Sequence, residues 1–141
     1  MTSRTYLLLA IFAFLHTGCG GGPKVVPVSG RVTLDGKPLA NATIQFVPVA
    51  ESDEKPLPSS SIGTTDADGS YSLVLNTNGN TKGAVVGKHK VIITLGAQGG
   101  AEGTKPVYHK QLPERYNRKT ELECDVPADG REDANFNLTP K

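Results

Sequence analysis

Hydrophobic and polar residues alternate with a period of two over most of the chain after Val25, which is the pattern of β-strands with one buried face. About seven such stretches follow one another, and none has the 3.6-residue period of an amphipathic helix. They lie at about residues 27–34, 42–49, 62–65, 70–75, 87–95, 120–126 and 134–139. The residues predicted to face inward are Val28, Gly30, Val32, Leu34, Ile44, Phe46, Tyr71, Leu73, Leu75, His89, Val91, Ile93, Leu95, Leu122, Cys124 and Val126. The pattern predicts an all-β domain.

The segments between these strands have the composition of tight turns. Asp35-Gly36, Asp66-Ala-Asp-Gly69 and Pro127-Ala-Asp-Gly130 each end in a glycine that tolerates positive φ. The second also resembles the start of a calcium loop, but such a loop needs a bidentate Glu at its twelfth position, which here is Thr77. We therefore interpret it as a turn and expect no metal site. About seven strands joined at short intervals predict a β-sandwich.

The N-terminal end has a different pattern, that of a secretory signal. Arg4 precedes an unbroken apolar run of ten residues, Tyr6–Leu15. A helix that crosses a bilayer needs about 20 such residues, so a permanent transmembrane span is the weaker interpretation. We expect residues 1–18 to be a cleaved signal peptide.

The residues that follow the apolar run resemble the lipobox of bacterial lipoproteins. Thr17-Gly18-Cys19 fits its pattern, whereas His16 stands where Leu is usual. The resemblance implies that the Cys19 thiol takes a diacylglycerol and the freed amine an acyl chain such as palmitate, which together give stable anchoring. The alternative is an ordinary secreted protein with an incidental Cys19. We predict a lipidated cysteine with a Gly-rich tether at residues 19–25 and a β-domain at residues 26–141.

Charge and composition narrow the partners. The chain has 15 Lys and Arg against 14 Asp and Glu, and removal of residues 1–18 takes away Arg4, which leaves the mature chain formally neutral. Nucleic acid is not expected as a partner, because it requires a concentrated positive field. A neutral chain is also not attracted to anionic headgroups, so contact with the membrane depends on the lipid. We expect an exported protein anchored on the periplasmic or cell-surface side of a bacterial membrane.

Three separated segments carry a family resemblance. Residues 28–46, 65–73 and 86–93, followed by Leu112–Asn117, are similar to the carboxypeptidase regulatory-like domain, and especially to short lipoproteins of the planctomycete type. The resemblance implies a seven-stranded transthyretin-like or Ig-like β-sandwich that stabilises or binds rather than catalyses. One departure is His89, where an aromatic residue such as Tyr is usual.

Candidate chemistry is sparse. HExxH, CxxC, a phosphate-binding loop and a nucleophile elbow are all missing from the sequence, so we predict no enzymatic activity and no cofactor beyond the lipid on Cys19. Acylation of Cys19 leaves Cys124 without a disulfide partner, and we interpret Cys124 as a buried structural thiol.

The 24 residues from 96 to 119 lack a clear element and contain Tyr108, His109 and Tyr116, which form a possible partner-binding loop. Alternatively, Leu112–Tyr116 packs over one end of the domain.

These observations favour a non-enzymatic, membrane-anchored lipoprotein of the cell envelope that serves as a structural or protein-interaction module. One alternative is a glycan-binding module, against which stand the absence of Trp and the low aromatic content of 6%. Another is an assembly factor for an exported enzyme or complex. The specific envelope protein or glycan partner is not encoded in any motif of the sequence.

Overall fold

The computed structural model describes residues 22–50, 57–77, 81–96 and 112–140. These residues form short β-strands and one turn of 3₁₀ helix, Glu114–Tyr116, so the prediction of an all-β chain is confirmed. The strands are β1 (Val25–Val26), β2 (Ser29–Leu34), β3 (Lys37–Pro38), β4 (Ala42–Pro48), β5 (Ser61–Thr64), β6 (Ser70–Ser72), β7 (Val74–Leu75), β8 (Ala84–Val85), β9 (Gly87–Leu95), β10 (Glu123–Val126) and β11 (Phe136–Leu138).

The largest sheet has five strands in the order β10-β9-β4-β5-β7, all antiparallel to their neighbours. Its longest ladder joins β4 to β9, from Ala42 opposite Leu95 to Pro48 opposite His89. The predicted alternation holds here, because Ile44 and Phe46 are fully buried while Thr43, Gln45 and Val47 are partly exposed. Pro48 ends its strand, as expected for a residue that cannot donate to the ladder.

A second sheet, the β2 sheet, has the order β11-β2-β3, and β6 also pairs with β2. β11 runs parallel to β2, with Phe136 opposite Val32. Side chains from this sheet and from the five-stranded sheet meet in one hydrophobic core, where the rings of Phe46 and Phe136 pack edge to face at 6.2 Å. The short strands β1 and β8 form a third, two-stranded sheet.

The described residues contain eleven strands, more than the seven expected. The predicted strand 70–75 is one source of the difference, because it divides at Leu73: β6 pairs with β2, whereas β7 pairs with β5 in the other sheet. Leu73 lies in the core at this crossing, and its amide donates to the carbonyl of Val28 (3.0 Å). As a consequence Leu75, which was expected to face inward, is only half-buried.

The predicted turns are confirmed. Asp35 and Gly36 both have positive φ, at 53° and 75°, and connect β2 to β3. In the turn between β5 and β6, the Oδ1 atom of Asp66 accepts hydrogen bonds from the amides of Asp68 and Ser70, both at 2.9 Å. This Asp66 oxygen therefore closes the turn, which leads the chain from the five-stranded sheet to the β2 sheet.

Gly30 shows why a glycine stands inside a strand. A Cβ atom built at this position would overlap the backbone of Ala134, which crosses over β2 just before β11 begins. The same Ala134 carbonyl accepts a hydrogen bond from the buried hydroxyl of Tyr71 (2.6 Å). The close approach of these two backbones holds the C-terminal segment against β2.

Candidate functional site

The predicted lipid anchor, Cys19, and the signal segment 1–18 lie outside the described residues. The structure begins within the predicted tether, and β1 starts at Val25, one residue before the expected start of the domain. Val25 pairs with Val85, so the tether leads directly into the two-stranded sheet. Among residues 22–50, 57–77, 81–96 and 112–140, no helix has the length and apolar content to cross a membrane.

Two residues of the possible partner-binding loop, Tyr108 and His109, also lie outside the described residues. The third, Tyr116, ends the 3₁₀ helix and is only 7% exposed. Its hydroxyl accepts a hydrogen bond from the amide of Thr139 (3.0 Å), and it lies 3.2 Å from the Oγ1 atom of the same residue. Burial raises the pKa of Tyr116, but these hydrogen bonds and the nearby Arg115 guanidinium outweigh burial and lower it overall.

Tyr116 thus fastens the 3₁₀ helix to the residue that follows β11. Arg115 adds to this fastening, because its guanidinium lies 4.7 Å from the centre of the Tyr116 ring and donates to the carbonyl of Thr139. Leu112 is buried in the same core. The structure therefore supports the alternative interpretation, in which Leu112–Tyr116 packs over the domain.

Cys124 and His89 form a cross-strand pair between β10 and β9. Both are buried, at 7% and 1% exposure, so the prediction of a buried thiol is confirmed. Burial raises the pKa of the Cys124 thiol and lowers the pKa of the His89 imidazole, so both groups are neutral at pH 7. A thiol of this kind is a poor nucleophile, because the thiolate is the reactive form.

The imidazole of His89 forms a hydrogen bond through one of its two nitrogens. Its Nδ1 atom lies 2.9 Å from the carbonyl oxygen of Gly87, and its ring packs 5.6 Å from that of Phe46. Its Nε2 atom has no hydrogen-bond partner in the part of the chain that the structure describes, so the histidine is only half satisfied. Among the described residues, no group of three or more His, Cys, Asp or Glu side chains is placed to hold a metal ion, around His89 or elsewhere.

The outer face of the β2 sheet forms a polar groove of about 720 Å³. Strands β6, β2 and β11 lie side by side here, and their register sets Ser72 opposite Ser29, Ser70 opposite Arg31 and Asn137 opposite Thr33. The floor consists of outward-facing residues with hydroxyl, carboxamide and guanidinium groups: Ser29, Arg31, Thr33, Ser70, Ser72, Asn135 and Asn137. Gly30, Thr64, Asp66, Tyr71 and Glu132 also line it. We refer to these residues as the polar groove.

Two asparagine side chains in the polar groove each accept a hydrogen bond from the protein. The Oγ1 atom of Thr33 donates to the Oδ1 atom of Asn137, and the backbone amide of Arg31 donates to the Oδ1 atom of Asn135, both at 2.8 Å. Each carboxamide is therefore oriented through its oxygen. The NH₂ groups of both asparagines have no acceptor among the described residues and are available as donors.

The polar groove is not predictable from the local sequence pattern. Alternation along β2 places Arg31 and Thr33 on the face opposite Val32, but gives no indication of which strands lie beside them. Asn137 is 104 residues away from Thr33 along the chain. Only the parallel pairing of β11 with β2 brings these residues together.

Comparison of the chain with protein-family models, with curated proteins and with solved structures finds no match. The resemblance to carboxypeptidase regulatory-like domains therefore depends on the sequence segments named above.

Proposed function

We propose that this protein is a non-enzymatic lipoprotein of the bacterial cell envelope, anchored through Cys19, whose β-domain serves as a structural or protein-interaction module. The observation that carries the proposal is the cysteine at the end of a signal-like segment, followed directly by Gly20–Gly22. Val25, the first residue of β1, follows Cys19 by six residues. An extended link of that length spans about 20 Å, so the domain sits close to the membrane surface on its exported side.

The fold that we propose for the domain is the transthyretin-like or Ig-like β-sandwich of carboxypeptidase regulatory-like domains. Its support is the presence of two larger sheets whose side chains share one core. Without the short strands β1, β3 and β8, eight strands remain, and β6 with β7 corresponds to one expected strand, which gives a sandwich of about seven main strands.

We also propose that the protein is not an enzyme, because the residues with reactive side chains are buried and uncharged. Cys124 is buried and protonated, and His89 is buried and neutral. Neither of them lines the polar groove, which is formed by hydroxyl, amide and charged side chains. A thiol and an imidazole enclosed in the core have no access to a substrate.

Phase partitioning in a detergent that separates on warming tests the anchor. The wild-type protein is expected in the detergent phase and Cys19→Ser in the aqueous phase, because only the acylated thiol supplies membrane affinity. Cys124→Ser is the matched control, since it removes the other cysteine and leaves the partition unchanged. An alkyne-labelled fatty acid should label the wild type and Cys124→Ser but not Cys19→Ser.

A wild-type protein in the aqueous phase would contradict the lipoprotein proposal. A Cys19→Ser protein that stays in the detergent phase would instead indicate that the apolar segment itself is retained as an anchor.

A further inference from the structure

We infer that the polar groove binds an uncharged saccharide through hydrogen bonds to side chains of β2, β6 and β11. The inference goes beyond the lipid anchor and does not depend on it, because the groove belongs entirely to the folded domain. It rests on the size of the groove, on the fixed orientation of its donors and on its charge.

The size of the groove suits a small ligand. Its volume of about 720 Å³ falls within the range of roughly 300–1,000 Å³ that is typical of small-molecule sites. Outward-facing side chains recur at about 5 Å from strand to strand and about 7 Å along each strand. These spacings are comparable to the separations between hydroxyl groups on one sugar ring and between those on linked rings.

The donors and acceptors of the groove match a polyol. Asn135 and Asn137 present NH₂ donors, and their oxygens are already occupied by the amide of Arg31 and the hydroxyl of Thr33. Their orientation is therefore set before a ligand arrives, which lowers the entropic cost of binding. The hydroxyl of Ser70 both donates and accepts, as sugar hydroxyls do.

The charge of the groove disfavours polyanions. One cationic side chain, Arg31, stands beside two carboxylates, Asp66 and Glu132, so the local balance is negative. A nucleic acid or a polysulfated glycan is repelled by this balance. Tyr71 is the aromatic residue among those that line the groove, and it is only 4% exposed with its hydroxyl bonded to Ala134, so an apolar peptide finds little hydrophobic surface to cover.

The lack of an exposed aromatic ring in the groove limits the strength of binding. Sugar sites of high affinity stack the ring on an exposed aromatic face, and the groove residues offer none. We expect binding in the millimolar range, with hydrogen bonds as the source of selectivity.

Titration followed by NMR tests the inference. The full chain, labelled with ¹⁵N and held in a mild detergent, is titrated with three neutral probes: cellotriose, maltotriose and the trimer of N-acetylglucosamine. At least one probe should shift amide resonances of β2, β6 and β11 in a saturable way and leave β9 unshifted. Failure of all three to shift the groove resonances, or shifts confined to other strands, would overturn the inference.

Variants assign the binding to the groove. Arg31→Ala should weaken binding about tenfold, and the fold should remain intact, because the hydrogen bond from Arg31 to Asn135 comes from its backbone amide. Asn137→Ala is a second variant, expected to weaken binding to a similar degree. Thr94→Ala, an exposed position on β9, is the matched control and should bind as the wild type does.

An anionic probe tests whether the groove prefers neutral saccharides to charged ones. A heparin-derived hexasaccharide should bind more weakly than the best neutral probe. Tighter binding of the heparin fragment, or binding of a neutral probe that Arg31→Ala and Asn137→Ala leave unchanged, would refute the proposed site.

Discussion

Replacing Gly69 by Ala probes how tightly the turn between β5 and β6 packs against β2. Gly69 has φ of +75°, and a Cβ atom built on it would overlap the carbonyl oxygen of Val32 and lie 3.1 Å from the amide nitrogen of Leu39. The backbone has little room to move, because the Gly69 carbonyl accepts a hydrogen bond from the amide of Val32 (2.8 Å). The substitution therefore combines an unfavourable φ with a steric clash against backbone atoms.

Gly36 provides a matched control. It has the same φ of +75°, but a Cβ atom built there has nothing within 4 Å. Gly36→Ala should cost only the conformational penalty of a left-handed residue, about 1–2 kcal/mol. Gly69→Ala adds the cost of overpacking, about 1–3 kcal/mol, for a total of about 2–5 kcal/mol.

Urea unfolding followed by circular dichroism measures both variants against the wild type. The midpoint should fall for both and further for Gly69→Ala, with the slope unchanged, because the surface exposed on unfolding stays nearly the same. In thermal unfolding the two variants should differ by at least about 4 °C, since 1 kcal/mol shifts Tm by about 4–8 °C in a domain of this size class. Equal losses of stability for Gly36→Ala and Gly69→Ala would refute the steric argument.

Three further predictions follow from buried groups. The Cys124 thiol should react slowly with a thiol reagent until denaturant is added, and Cys124→Ser should cost about 1–3 kcal/mol; rapid reaction of the native protein would place the thiol on the surface. The folded domain resists protonation of His89, whose pKa burial lowers below 6.5, so the free energy of unfolding should fall as the pH drops through 6.5 towards that lowered pKa and should be fully present above it. His89→Leu should flatten this dependence in urea titrations at several pH values, and an unchanged slope would contradict it. Tyr116→Phe removes the hydrogen bonds of the hydroxyl to Thr139 and should cost about 1–2 kcal/mol in the same assay, whereas a neutral effect would show that the helix is held by packing alone.

Much of the strand pattern is predictable from the sequence, because burial on one face imposes a period of two. β2, β4 and β9 lie where alternation places them, and inward residues such as Val32, Ile44 and Val91 are buried as expected. Positive φ at Gly36 and Gly69 agrees with the turn chemistry of Asp-Gly.

The sheet switch at Leu73 is not predictable in this way. Tyr71 and Leu73 keep their alternation while the chain passes from one sheet to the other, so the pattern shows one strand where the structure has two. Alternation records which face of a strand is buried, and it contains no information about the identity of the neighbouring strand.

The polar groove could not be predicted from the sequence for a related reason. Arg31 and Asn137 are ordinary outward-facing residues until β11 pairs with β2. Conversely, Tyr116 is an aromatic residue beside charged neighbours in the sequence, and its burial depends on contacts with Thr139 that no local pattern encodes. Long-range pairing, rather than local propensity, determines both outcomes.

The parallel pairing of β11 with β2 also constrains how the chain acquires its structure. Asn137 and Thr33 are separated by 104 residues, so the β2 sheet is incomplete until nearly the whole described chain has been synthesised. Such non-local contacts are reached slowly, because the entropy of closing a long loop is lost before any contact compensates for it. Closure of the β2 sheet is therefore a late step in folding, because it requires the C-terminal strand β11.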